Sequence, residues 1–158
     1  LKQPYGIVGQ PGGALLVADY QSNAILRLDP VHGGAAIFAR IPRPRDLRPA
    51  ANGTLLVSSG RNVYELDPRT RALRVGVRAA SRLEGVAPAP DGGVYVTEFS
   101  ANRVSLIERS GAVRALASVS RPGPIAPDGA GRLLVGSLGG TISRVDPITG
   151  RVTRVWPR

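Results

Sequence analysis

Residues 14–30 read ALLVADYQSNAILRLDP, and this stretch decides the fold. A short apolar run at 15–18 is followed by a polar loop at 19–23 and by a second run with alternating apolar residues at 25–28. Asp29 and Pro30 then close the unit. Two strand-length runs that are separated by a short polar loop and closed by a turn dipeptide are typical of a β-hairpin.

The same pattern occurs four times along the chain. The apolar triplet that begins at Leu15 recurs at Leu55, Val94 and Leu133, at intervals of 40, 39 and 39 residues. A glycine stands two positions before each triplet. Repetition at a fixed period near 40 residues indicates a repeat architecture, and units of this length are typical of propeller blades.

Each repeat divides into four short strands, which we call a to d in chain order. Strand b is the apolar triplet, and strand d is the most polar of the four. No segment carries an apolar stripe with the 3.6-residue period of a helix. We therefore predict an all-β fold, a β-propeller segment of four four-stranded antiparallel blades, at approximately residues 1–40, 41–79, 80–118 and 119–158.

The repeats resemble a known family. The resemblance rests on residues 13–19 (GALLVAD), 25–30 (ILRLDP), 84–87 (EGVA) and 91–98 (DGGVYVTE). These segments resemble the NHL repeat and the related SMP-30/gluconolactonase-like and virginiamycin B lyase-like β-propellers, and the resemblance covers the whole chain. Such propellers usually have six or seven blades, so we expect the four repeats to form an arc cut from a larger ring. Bacterial proteins of this type are often exported, which favours an extracellular or periplasmic location.

In a propeller blade of this topology, strand a lies nearest the central channel, and the b–c loops share one rim with the connections between blades. The core positions of the repeats are similar, whereas the positions on this rim differ, as expected for a binding surface on a rigid scaffold. We predict that the rim binds a protein, a peptide or a small-molecule ligand. The candidate binding residues are Tyr5, Asp19, Tyr20, Asn23, Arg45, Glu84, Glu98, Phe99 and Asn102.

An enzymatic function is the first alternative, and it comes from the resemblance, which implies that Glu84 could be a calcium ligand beside other oxygen donors of the rim. Arg45 occupies the equivalent position one repeat earlier, which favours an ion pair with Glu84 over a metal site. The single histidine, His32, falls in a c–d turn on the opposite rim, where it is badly placed to serve as a lyase base. We therefore expect a binding protein with no catalytic residues and no cofactor.

The charge balance raises a second alternative. The net charge is +10, which suggests a polyanion partner, and some NHL domains bind RNA. The arginines are spread over all four repeats, so we do not expect a nucleic-acid partner.

An open arc would expose two apolar blade faces, which favours self-association. No apolar run reaches the roughly 18 residues of a membrane-spanning helix, and the absence of cysteine excludes disulfides and thiolate metal sites.

Overall fold

Sixteen strands form four separate sheets in the computed structural model, which describes residues 1–157. Blade 1 contains β1 (Pro4–Gly9), β2 (Leu15–Asp19), β3 (Ala24–Leu28) and β4 (Ala35–Arg40). Blade 2 contains β5 (Pro44–Pro49), β6 (Leu55–Ser59), β7 (Asn62–Leu66) and β8 (Leu73–Arg78). Blade 3 contains β9 (Leu83–Pro88), β10 (Val94–Glu98), β11 (Arg103–Ile107) and β12 (Val113–Ser118). Blade 4 contains β13 (Pro122–Pro127), β14 (Leu133–Ser137), β15 (Thr141–Val145) and β16 (Val152–Trp156).

Each sheet is an antiparallel meander whose strands pair in chain order, so the predicted propeller of four-stranded blades is confirmed. The helical structure in residues 1–157 is limited to one 3-10 turn, Phe99–Ala101. No helix in this part of the chain has the length and apolar character that crossing a membrane requires.

The first strands of consecutive blades pack side by side, β1 on β5, β5 on β9 and β9 on β13. Within residues 1–157, β13 and β1 make no comparable contact, so the four blades form an open arc. The concave side of this arc is the wall of the propeller channel. Antiparallel pairing then places the b–c loops and the blade-to-blade connections on one rim, which we call the channel rim. The a–b and c–d turns form the opposite rim.

The hydrophobic core consists of three clusters, and each lies between two neighbouring blades. The first cluster joins blade 1, through residues such as Leu16 and Ile25, to blade 2, through residues such as Leu47 and Val57. Because side chains alternate between the two faces of a strand, each blade presents one face to the preceding blade and one to the following blade. The two outermost faces carry exposed apolar side chains, which are Ile7 and Ile37 on blade 1 and Ile142 and Trp156 on blade 4.

Buried hydroxyl groups add polar links between blades near the channel. The Ser58 hydroxyl accepts a hydrogen bond from the Asp46 amide at 3.1 Å and donates one to the carbonyl of Glu84, in the next blade, at 2.8 Å. The equivalent Thr97 hydroxyl accepts from the Gly85 amide at 2.7 Å and donates to the Gly123 carbonyl at 2.6 Å. These bonds satisfy backbone groups in the crowded layer around the channel, where an unpaired polar group would be costly.

The blades approach so closely in this layer that some positions have room only for glycine. A Cβ atom on Gly85 would lie 2.7 Å from the Gly123 carbonyl oxygen and 3.0 Å from the Ile125 amide nitrogen. A Cβ atom on Gly6 would lie 2.8 Å from the Leu47 amide nitrogen. Because the obstructing atoms belong to the backbone, an added methyl group can be accommodated only by moving whole strands.

We expect the substitution Gly85→Ala to lower the free energy of unfolding by about 2 kcal/mol, because it overpacks the contact between blades 3 and 4. Gly9→Ala is the matched control, since Gly9 also lies in a first strand and a Cβ there meets no atom within 4 Å. Urea unfolding followed by circular dichroism measures both changes. Equal midpoints for the two variants would contradict the close packing of blades 3 and 4.

Candidate functional site

The candidate site is a pocket on the channel wall, and it opens towards the channel rim. Its volume is about 320 Å³. All four blades contribute to it, mostly through their first strands, and Leu138 comes from the loop that follows β14. The lining residues are Tyr5, Gly6, Ile7, Arg45, Asp46, Arg48, Glu84, Gly123, Pro124 and Leu138.

The mouth of the pocket is organised by an ion pair between neighbouring blades. Arg45 Nη1 donates to Glu84 Oε2 at 2.5 Å, and the two side chains are only 13% and 14% exposed. This confirms the ion pair that the equivalent sequence positions favoured. Arg82 Nη2 donates to the other carboxylate oxygen of Glu84 at 2.9 Å. Both oxygens of Glu84 therefore face a guanidinium group.

Two tyrosines hold Arg45 in place. Its guanidinium carbon lies 4.7 Å from the centre of the Tyr20 ring and 5.2 Å from the centre of the Tyr5 ring. The two rings contact each other edge to face, with their centres 5.9 Å apart. Cation–π contacts of this kind are worth about 0.5–2 kcal/mol each, more where water is excluded. Tyr5, Tyr20, Arg45 and Glu84, which the sequence predicts as binding residues, are thus brought together.

Asp46 is a pocket residue that the sequence analysis did not include among the candidates. Its carboxylate accepts hydrogen bonds from the amides of Leu47 at 3.0 Å and Val86 at 3.2 Å, and Arg48 Nη2 lies 3.5 Å away. Burial nevertheless outweighs these contacts and raises the pKa of Asp46. The available signal was that Asp46 replaces the glycine found at the equivalent positions 6 and 85.

Asp19 and Glu98, also predicted as binding residues, are fully buried and serve structural roles. Asp19 accepts hydrogen bonds from the backbone amides of Lys2 and Gln3, both at 2.7 Å. Burial opposes ionisation of Asp19, but these amides and the Ser22 hydroxyl outweigh it and lower the pKa of its carboxyl group. The carboxylate therefore holds the segment that leads into β1.

Glu98 plays the corresponding role in blade 3. It accepts hydrogen bonds from Arg103 Nε at 2.8 Å, from the Ser105 hydroxyl at 2.6 Å and from the Ser81 hydroxyl at 2.7 Å. Burial would raise its pKa, but these three donors together lower the pKa of Glu98 to about 2. The contact to Ser81 ties β10 to the connection between blades 2 and 3.

Asn23 and Asn102 also hold connections between blades. Both adopt left-handed backbone conformations, with φ of 52° and 49°. The side-chain oxygen of Asn23 accepts from the Arg43 amide at 3.0 Å, and that of Asn102 accepts from the Arg121 amide at 2.7 Å. Phe99, the remaining candidate, contacts Arg82, whose guanidinium carbon lies 5.6 Å from the ring centre.

The surroundings of Glu84 do not fit a calcium site. Calcium requires six to eight oxygen ligands, usually with several carboxylates. Among residues 1–157 there is no group of three or more His, Cys, Asp or Glu side chains that could hold a metal ion. The two guanidinium groups on Glu84 would repel a cation and already occupy both of its oxygens. His32 bonds to Asp29 in a turn of the opposite rim, 3.0 Å away, and takes no part in the pocket.

Comparisons with known proteins identify the fold. The chain superimposes on a streptogramin B lyase with a TM-score of 0.77 and 17% identity, covering 97% of this chain and 54% of the lyase. It matches a gluconolactonase from Xanthomonas campestris with a TM-score of 0.76 and 20% identity, covering 96% of this chain and 60% of that protein. A chain of the nidogen/laminin complex gives a TM-score of 0.79 and 15% identity, covering 96% and 64%.

No protein-family model and no curated protein matches the sequence. The superpositions on solved structures confirm that the chain has the fold of gluconolactonase-like and virginiamycin B lyase-like propellers. At identities of 20% or less, the likeness extends to the fold alone. The chain spans between about half and two thirds of the length of these three structures.

The position of Glu98 predicts a specific dependence of stability on pH. Its pKa is about 2 in the folded protein and ordinarily 4.5. Its ionised form therefore stabilises the fold above pH 4.5, and this contribution is lost as the pH falls towards 2. We expect Glu98→Gln to lower the free energy of unfolding by about 2 kcal/mol at neutral pH, because Arg103 loses its ionic partner. The deficit should shrink as the pH falls below 4.5, because Glu98 then takes up a proton in the unfolded chain while it stays ionised in the folded protein.

Urea unfolding between pH 7 and pH 3 measures this deficit, with Glu108→Gln as the control. Glu108 is also a glutamate of blade 3, but it is exposed in the β11–β12 turn. A deficit that stays constant over the whole pH range would contradict the role assigned to the ionised Glu98.

Proposed function

We propose that this chain is a ligand-binding segment of a β-propeller and that it binds a small molecule, a peptide or a protein at the pocket on the channel rim. The observation that carries the proposal is the pocket itself, in which a fixed ion pair stands beside exposed apolar side chains. Leu138 lines the pocket with an exposed fraction of 66%, and Ile7, on the outer face of blade 1, borders it. Apolar side chains that stay exposed in a concave, partly polar surface are typical of binding sites.

The pocket is preformed, which also favours binding. The strands that line it are fixed against each other, since a Cβ atom on Gly6 would lie 2.8 Å from the Leu47 amide nitrogen of the next blade. Arg45 is held on both sides by tyrosines and by Glu84, so its orientation does not depend on a ligand. A volume of about 320 Å³ lies at the lower end of the range for small-molecule sites.

An enzyme is the second candidate, and the observation that favours it is Asp46. Burial raises the pKa of Asp46, and such a carboxyl group in a pocket is suited to proton transfer. A lyase and a gluconolactonase are among the structures that share the fold. The hydrogen bonds of Asp46 to Leu47 and Val86 also give it a structural purpose, so the binding function is the better supported of the two.

Blocking the pocket tests the binding function. We expect small apolar and aromatic compounds, screened by ¹H–¹⁵N NMR, to shift the amide signals of Gly6 and Gly123, which line the pocket. Leu138→Trp should abolish these shifts, because the larger ring fills the mouth from an exposed position. Ile148→Trp is the control, since Ile148 is an exposed apolar residue of blade 4 on the opposite rim. Binding would lie elsewhere if the shifts survived Leu138→Trp, or if they were largest in the fourth, outer strands of the blades.

The variant Asp46→Asn tests the enzyme candidate, because it removes the carboxyl group and keeps the size of the side chain. If Asp46 transfers protons, turnover of a lactone such as gluconolactone should follow the ionisation of Asp46 and disappear in Asp46→Asn. The pKa of Asp46, read from the ¹³C shift of its carboxyl group, should lie above its ordinary value of 3.8. Compound binding without turnover in the unchanged protein supports the binding function and removes this candidate.

A further inference from the structure

Three arginines occupy the same position in three successive blade-to-blade connections. Arg43, Arg82 and Arg121 each stand directly before the first strand of a blade, at intervals of 39 residues. All three are exposed on the channel rim. The equivalent position before blade 1 is Gln3. We call Arg43, Arg82 and Arg121 the arginine row.

The backbone holds the arginine row in defined positions. Arg43 and Arg121 have φ of 45° and 43°, a left-handed conformation that is unfavourable for a residue with a side chain. Their amides are fixed by the side chains of Asn23 and Asn102. Strained residues that the surrounding structure holds in place are concentrated at functional sites.

The side chains of the row lie across the loops of the channel rim. The guanidinium carbon of Arg43 is 5.9 Å from the centre of the Tyr20 ring, and that of Arg82 is 5.6 Å from the centre of the Phe99 ring. Arg121 lies against Gly139 in the loop that follows β14, and its Nη2 is 3.5 Å from the position that a Cβ atom on this glycine would occupy. An arginine that covers an aromatic ring keeps N–H groups free along its edge, and these match the two oxygens of a carboxylate.

The charges around the row are almost all positive. Asp19 and Glu98 are fully buried and already hydrogen-bonded, so they contribute no free carboxylate to the surface. Glu84 is shared by Arg45 and Arg82. Within residues 1–157, neither Arg43 nor Arg121 forms an ion pair. At Arg43 and Arg121 an anionic partner would therefore find cationic donors that need not first give up an ionic partner, whereas at Arg82 it would compete with Glu84.

We propose that the arginine row binds an acidic peptide segment of a protein partner, with carboxylates received by successive blades. This inference rests on the proposed function, because it uses the same rim beside the pocket. It favours a peptide over single-stranded nucleic acid, which is bound largely by stacking of bases on free aromatic faces. Here the rings of Tyr5, Tyr20 and Phe99 are each contacted by a guanidinium group.

The probe is a fluorescein-labelled dodecapeptide of alternating glutamate and alanine, compared with the same peptide containing glutamine in place of glutamate. Binding is measured by fluorescence anisotropy over a series of salt concentrations. The combined substitutions Arg43→Gln, Arg82→Gln and Arg121→Gln should weaken binding of the acidic peptide by roughly tenfold or more, because charge-assisted hydrogen bonds are lost. The combined Arg69→Gln, Arg109→Gln and Arg151→Gln substitutions remove the same charge from exposed positions of the opposite rim and should leave binding almost unchanged.

Three outcomes would overturn the inference. Equal weakening in the two triple variants would mean that only the overall charge attracts the peptide. Tighter binding of an oligouridine dodecamer than of the acidic peptide would assign the row to nucleic acid. Failure of the acidic peptide to bind at low salt would remove the site. If the unchanged protein binds compounds in the pocket but not the acidic peptide, this inference alone is overturned. If it binds the peptide but no compound in the pocket, the proposed function alone is overturned.

Discussion

The structure depends on the close approach of the first strands of neighbouring blades around the channel. At Gly6 and Gly85 the adjacent backbone leaves no room for a Cβ atom, and the hydroxyls of Ser58 and Thr97 satisfy the peptide groups that this approach buries. A strand position in one blade is thereby aligned with the same position in the next. This alignment brings Arg45 against Glu84 and makes a pocket from residues that are 39 or 40 positions apart in the sequence.

The polar residues of the channel rim have two different roles. Asp19 and Glu98 end their strands as buried acceptors, and Asn23 and Asn102 fasten the chain where it crosses between blades. These contacts occupy the carboxylates of Asp19 and Glu98 and the side-chain oxygens of the two asparagines. The arginines are left at the surface, so a rim with a mixed polar sequence becomes a cationic one. The burial of these carboxylates therefore leaves guanidinium groups as the charged groups that a partner can contact on the rim.

The fold was predictable because the repeat is regular in the positions that pack. The triplets beginning at Leu15, Leu55, Val94 and Leu133 became second strands, and the equivalence of positions 45 and 84 correctly favoured an ion pair. The roles of Asp19 and Glu98 were not predictable in this way, since a carboxylate after an apolar run reads as the start of an exposed loop. Only the path of the connecting segment, which passes over the end of the strand, reveals that these side chains are enclosed. Asp46 and the arginine row were present in the aligned repeats, but their significance depends on distances that an alignment of repeats does not contain.

The hydroxyl links between blades are not repeated at every joint. Ser58 joins blades 2 and 3, and Thr97 joins blades 3 and 4, whereas the equivalent residue in blade 1 is Ala18, which cannot form such a bond. The joint between blades 1 and 2 therefore lacks a cross-link that the other two possess, and transient opening is expected to begin there. Blade 1 carries Tyr5, Gly6 and Ile7 of the pocket wall and the tyrosines that hold Arg45. The position of this pocket wall relative to blade 2 is therefore set without a hydroxyl link of the kind that fixes the other two joints.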